Sequence, residues 1–133
     1  MNRSVRFGNA ALDGAVHRGW FVGHFLDTTS DLRATGEVEV KWGVHPAGDR
    51  RQAIAMSTEA TSLSVLVSGR FRISFPDQEV ILSHPGDYAI WGAGVPHGWS
   101  AEAESVVLTV RWPSQPEDVR ESVAGRDMRE AAS

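Results

Sequence analysis

Five histidines are the residues best equipped for chemistry in this chain: His17, His24, His45, His84 and His97. Imidazole serves as metal ligand, proton carrier or hydrogen-bond partner near neutral pH. His24, His45 and His97 lie in or beside segments with strand composition, and histidines on separate strands can converge inside a barrel. A catalytic metal wants about three protein ligands, so His24, His45 and His97 form the candidate metal set, with Glu59 as a possible carboxylate. Each has a plainer reading. His24 shares parity with Trp20 and Val22, as a core histidine would. His45 falls opposite Val38, Val40, Trp42 and Val44, unless Gly43 makes a bulge. Glu59 reads as a loop carboxylate facing water. His17 and His84 fall in loops and are expected in solvent.

Three further groups can recognise a ligand. Ser62, Ser64 and Ser68 share one strand face. Turned inward they would line a pocket with hydroxyls; turned outward they are ordinary surface. The Leu63/Val65/Val67 face is the more apolar, which favours the outward reading. Arg111 would clamp a carboxylate or phosphate if it pointed inward. Its parity opposes Val106, Leu108 and Val110, so it is expected at the surface in a salt bridge. Arg50 and Arg51 follow a Pro-Ala-Gly turn, and Arg50 is the candidate for steering an anionic ligand.

The elements that must position these groups are strands. Gly19–Leu26 is aromatic and β-branched. Glu37–His45, Thr61–Val67 and Phe71–Phe75 alternate apolar with polar residues, as half-buried strands do. Val80–Leu82, Tyr88–Trp91 and Ser105–Trp112 complete the set. Gly and Pro interrupt the chain every ~8–12 residues, the spacing of an all-β sandwich or barrel. The division expected is an arm over 1–18, a barrel over 19–112 and a polar tail over 113–133. In the tail, 116–123 has the composition of a short surface helix or a frayed end.

Composition narrows the function classes. Cysteine is absent, which removes disulfides, cysteine–zinc sites and thiol nucleophiles. The formal net charge is −4 and no basic block occurs, so neither nucleic acid nor an anionic membrane is an expected partner. No apolar run approaches a membrane span or a secretory leader, and the cytoplasm is the expected compartment.

The segment Gly86-Asp-Tyr-Ala-Ile-Trp-Gly92-Ala-Gly94-Val-Pro96-His97 resembles the second motif of the cupins: Gly86, Gly94 and His97 match in spacing, with Gly92 where that motif has proline. The first cupin motif, anchored on Gly48 and Gly69, would place Ile54 and Met56 at its two histidines and Ser62 near its glutamate. The wider run from Trp20 to Pro113 is similar to a group of short bacterial cupins of mostly unassigned function. The resemblance implies an all-β double-stranded β-helix with His97 pointing inward at its mouth and Trp99 on the same strand face beside any ligand. Of the family's metal ligands it carries over His97 alone. The function expected is therefore small-molecule binding near His97, Trp99, Ser62, Ser64 and Arg50, with no cofactor and no full consensus metal site. The alternative is a metal-dependent oxygenase or isomerase using His97 with non-standard ligands. A homodimer is expected, because strand edges need covering and Trp20, Phe21 and Phe25 could supply an apolar cover.

Overall fold

The structure is a computed structural model that describes residues 5–27, 31–51, 53–122 and 129–130. The arm begins with one helical turn, α1 (Ala10–Asp13), capped by Asn9, whose side chain accepts a hydrogen bond from the Leu12 amide. A 3-10 turn, Ala15–His17, follows.

The strands, in chain order, are β1 (Trp20–Val22), β2 (Glu39–His45), β3 (Ile54–Ser57), β4 (Thr61–Ser68), β5 (Phe71–Phe75), β6 (Gln78–Leu82), β7 (Tyr88–Trp91), β8 (Gly98–Ala101), β9 (Ser105–Trp112), β10 (Val119–Ser122) and β11 (Arg129–Glu130). One wall is a five-stranded sheet in the order β1-β2-β9-β4-β7. The other combines two three-stranded sheets, β11-β10-β3 and β6-β5-β8. Paired backbone hydrogen bonds between Ala55 and His97, at 2.8 and 2.9 Å, join β3 to the start of β8. All strand pairs are antiparallel. The tail residues Val119–Ser122 extend the second wall as a strand and do not form the first turns of a helix. The rest of the expected tail, 123–128 and 131–133, lies outside the described residues, as do residues 1–4 of the arm.

Leu66, Phe71, Ile73, Leu82, Ala101 and Val107 form the buried apolar cluster between the walls. Gly69 makes the β4–β5 hairpin possible. Its φ is +100°, and a Cβ there would sit 2.3 Å from the Glu104 carbonyl oxygen, so only glycine fits.

Strand positions agree with the alternation pattern, but the five-stranded wall faces the opposite way from that expected. Val44 is 58 % exposed, while Glu39 and His45 are buried. Val40 and Trp42 share Val44's outward side, and Leu63, Val65, Val106, Leu108 and Val110 share it on β4 and β9. The inward side carries Glu39, Lys41, Gly43 and His45 from β2, Ser62 and Ser64 from β4, and Thr109 and Arg111 from β9. Arg111 is thus inside, against the surface position expected for it. Trp20 is also buried, so it is not available as an intermolecular cover. Among the described residues no helix is long and apolar enough to cross a membrane.

Candidate functional site

Antiparallel register arranges the inward polar groups in rows across the wall. Glu39, Arg111, Ser62 and Trp91 are successive cross-strand partners on β2, β9, β4 and β7. The neighbouring row runs Trp20, Lys41, Thr109, Ser64 and Ala89. Inward positions along a strand are spaced by two residues, so the rows lie roughly 6–7 Å apart. A cavity of about 60 Å³ opens over them, the share of about two waters at ~30 Å³ each. The facing wall closes it with Phe71, Ile73 and Trp99, and His97 lies on its rim side next to Trp91, ring centres 4.8 Å apart.

Three buried polar atoms of the first row have no hydrogen-bond partner: Ser62 Oγ, Trp91 Nε1 and Arg111 Nε. An unmade hydrogen bond on a buried group costs on the order of 1–3 kcal/mol. Three such groups side by side on a cavity wall are arranged for something that enters it. Ser64 and Thr109 in the second row bond each other at 2.9 Å and make no such demand.

Arg111 is held from the other side. Its Nη2 lies 2.6 Å from Glu39 Oε2, and its guanidinium lies 4.3 Å from the centre of the Trp20 ring. Glu39 Oε1 accepts from the Ser114 hydroxyl at 2.7 Å. With its proton committed there, Ser114 Oγ accepts from His24 Nδ1 at 2.6 Å and from the His24 amide at 3.0 Å. His24 therefore braces the Arg111–Glu39 pair from behind the cavity.

The two cavity histidines have fixed tautomers. His97 Nδ1 lies 3.2 Å from the Val95 carbonyl oxygen, which can only accept. The proton is on Nδ1 and Nε2 carries the lone pair. Burial pushes the His97 pKa down to about 4, with Arg51 and Arg111 adding to the effect against the Val95 contact, so the ring is neutral at pH 7. His45 Nδ1 donates to Asp49 Oδ2 at 2.8 Å, and burial outweighs that contact and lowers its pKa. Gly43 makes room for this ring: a Cβ there would lie 2.8 Å from His45 Nε2. Trp99 packs on His45 at 4.5 Å and stacks on Phe71 at 5.3 Å. Lys41, also on the wall, has its pKa lowered to about 8, first by burial and then by Arg51 and Arg111.

Among the residues picked out from sequence, His97, Trp99, Ser62 and Ser64 line the cavity, and His45 does too, contrary to its expected parity. Arg50 does not: it is exposed, and its neighbour Arg51 lines the cavity instead. Glu59 is exposed in the β3–β4 turn, where its amide donates to Asp118. The candidate metal set is therefore not assembled, since His24 is behind the wall and Glu59 is outside it. His17 is half-buried against Phe25 and not free in solvent, whereas His84 is exposed. Of the expected motif slots, Ile54 is exposed and Met56 is half-buried, and neither lines the cavity. Sequence reasoning missed Lys41, Thr109 and the indole of Trp91 as lining groups. The signal available for them was a shared parity of charged and hydroxyl residues on adjacent strands.

A larger open groove of about 260 Å³ lies along the arm. Its charged residues serve one another: Asp13 stands between Arg6 and Arg33, and Arg33 holds Asp31 at 2.7 Å. It makes no comparable demand for a ligand.

The metal that a cupin resemblance implies does not fit this donor set. Among the described residues no three His, Asp or Glu side chains could hold one ion. The cavity offers two imidazoles beside Lys41, Arg51 and Arg111, and three cations repel a fourth.

No protein-family model and no curated protein matches the chain. Solved structures do. The KdgF protein of a Halomonas species is 20 % identical over 61 % of this chain and 74 % of its own, with a TM-score of 0.54. An uncharacterised double-stranded β-helix protein of Klebsiella pneumoniae is 19 % identical over 73 % of this chain and 74 % of its own, TM-score 0.55. A cupin described as a sugar phosphate isomerase from Silicibacter pomeroyi is 17 % identical over 68 % of this chain, TM-score 0.55, and this chain spans only 59 % of its length. Two facing walls of antiparallel strands, joined in this order and matched by these structures, establish the double-stranded β-helix of the cupins as the fold of this chain.

Proposed function

We propose that the barrel binds a small molecule in the cavity beside His97, using protein side chains where other barrels of this fold use a metal. The observation that carries this is the row of Ser62 Oγ, Trp91 Nε1 and Arg111 Nε, buried and unpartnered on the cavity wall. A soluble ligand that satisfies them recovers their desolvation cost. Neutral His97, with its Nε2 lone pair available, is suited to accept a hydrogen bond or take a proton from that ligand. A thermal-shift screen of small acids, sugars and alcohols tests the reading, because a molecule that binds only the folded state raises the midpoint. At least one class should raise it for the native protein and raise it less for Ser62→Ala. A screen in which no class does so overturns the proposal.

The same chain is proposed to work as a homodimer, with the outward side of the five-stranded wall as the contact. Val40, Trp42, Val44, Leu63, Val65, Val67, Tyr88, Ile90, Val106, Leu108 and Val110 stand there without a charged residue among them. Four strands ~4.8 Å apart and about seven residues long present roughly 400 Å² in projection. Two such faces, with side-chain relief, approach the ~1,000 Å² of a specific interface. A charge-free face is complementary to itself, as two-fold pairing requires.

A further inference from the structure

We propose that the cavity selects small organic anions, short-chain carboxylates, over neutral molecules of the same shape. This rests on the reading of the barrel as a ligand site and names the class of ligand.

The argument begins with hydrogen-bond direction. Trp91 Nε1 and Arg111 Nε can only donate, and so can the Lys41 ammonium and the Arg51 guanidinium. The Ser62 hydroxyl can donate as well. No Asp or Glu side chain lines the cavity. A molecule entering this wall must bring acceptors, and a carboxylate brings two oxygens with about four acceptor sites. A neutral amide brings one acceptor group, fewer than the donors of this wall ask for, and its own donors have only the Nε2 lone pairs of His97 and His45 to meet.

Charge points the same way. The whole chain carries −4, yet three cations are gathered on this one cavity. Glu39 offsets Arg111. Lys41 has no ion pair among the described residues; its nearest noted contact is the Trp20 ring, 5.8 Å away. Burial first, then Arg51 and Arg111, lower its pKa by more than Asp49 raises it, as happens to an ammonium whose counter-charge is too distant to offset its burial. An anion between Lys41 and the Arg111 row would supply that charge in a partly desolvated setting, where the pairing is stronger than in water.

Size and the opposite wall limit the rest of the molecule. About 60 Å³ is the share of about two waters, so the cavity takes the carboxylate and only the first carbons of a chain. Phe71, Ile73 and Trp99 offer no charge, so the end away from the carboxylate is a short apolar chain.

Isothermal titration at pH 7 and low ionic strength tests this with acetate, propionate and butyrate against acetamide, propionamide and butyramide. At least one acid should bind the native protein about tenfold or more tightly than its amide, the ratio expected for charge-assisted over neutral hydrogen bonding. Lys41→Met should weaken that acid about tenfold, and Lys41→Arg should recover most of the loss, with circular dichroism showing both variants folded. Acid and amide binding alike would overturn the anion class and leave the ligand-site reading standing. No binding by any of the six would overturn the anion class, and if the broader thermal-shift screen were also blank the ligand-site reading would fall with it. Should both Lys41 variants prove unfolded, Trp91→Phe takes their place: it should weaken the acid and leave the amide unchanged, and equal weakening of both would overturn the proposal.

Discussion

Arg111 and Glu39 are cross-strand partners on β9 and β2, and their charged ends meet 2.6 Å apart inside the barrel. A buried pair of this kind is expensive to assemble and more expensive to halve. Arg111→Met leaves the Glu39 carboxylate buried with the Ser114 hydroxyl as its remaining noted donor. The expected loss is about 3–5 kcal/mol in urea denaturation. The double variant Arg111→Met/Glu39→Gln should recover part of it. A loss below about 1 kcal/mol for the single variant would mean that water reaches the pair.

Ser62 and Trp91 should behave in the reverse sense. A buried hydroxyl normally loses a hydrogen bond when truncated. Ser62 Oγ has none to lose, so Ser62→Ala should leave stability within about 1 kcal/mol or raise it. Trp91→Phe removes a second unpartnered donor of the row at some cost in packing. A loss above about 2 kcal/mol for Ser62→Ala would show that the hydroxyl is satisfied within the protein.

Acid should destabilise the fold before its carboxylates titrate. The folded pKa of His97, about 4, lies below its ordinary 6.5, so the unfolded chain binds that proton more readily. This contribution is fully present above pH 6.5 and is lost as pH falls from there toward 4. His45 is displaced in the same direction and adds to the slope. Denaturation midpoints measured between pH 7 and 4.5 should fall, and His97→Gln should flatten the curve without abolishing it. An unchanged slope in His97→Gln would place the ring in water.

Light scattering checks the homodimer. A mass near twice 14.5 kDa is expected at micromolar concentration. Val44→Lys/Ile90→Lys should give the single-chain mass with the strand signal intact, because both side chains are more than half exposed in one chain. A double variant that stays dimeric moves the interface elsewhere.

Gly69→Ala should destabilise by more than the ~1 kcal/mol typical of a glycine change. It combines a left-handed backbone with a steric clash at the Glu104 carbonyl. A near-neutral result would mean that the hairpin can relax.

The alternation of Val40, Trp42 and Val44 against Glu39 and Lys41 was enough to locate β2, and the same held for β4 and β9. It was not enough to say which side of the sheet is the interior. Period-two patterning marks one face as apolar, and the apolar face is assigned to the core by default. In this barrel much of the interior of that wall is a polar cavity, so Ser62, Ser64, Lys41 and Arg111 take the inside beside Leu66 and Val107, and the other aliphatic residues take the outside. His97 lines the cavity, and the Gly86–His97 segment bears on its position because turn glycines and spacing constrain the backbone directly. Ile54 and Met56 were placed by counting from Gly48, and a count along a loop does not fix which side of β3 faces inward; Ile54 is exposed. Lys41 was legible as the chain's single lysine, but its position required the register of β2.

That single lysine makes the cavity chemically addressable. Lys41 is the only side-chain amine in the sequence, and it is a half-buried residue of the cavity wall, its Nζ 5.8 Å from the Trp20 ring. Acylating reagents small enough to enter would therefore modify the side chains of this protein at one position, while bulky ones would find no lysine outside. The acylation rate at Lys41, read by mass on the peptide that carries it and so apart from the α-amine, becomes a footprint of whatever occupies the barrel, with no label to engineer.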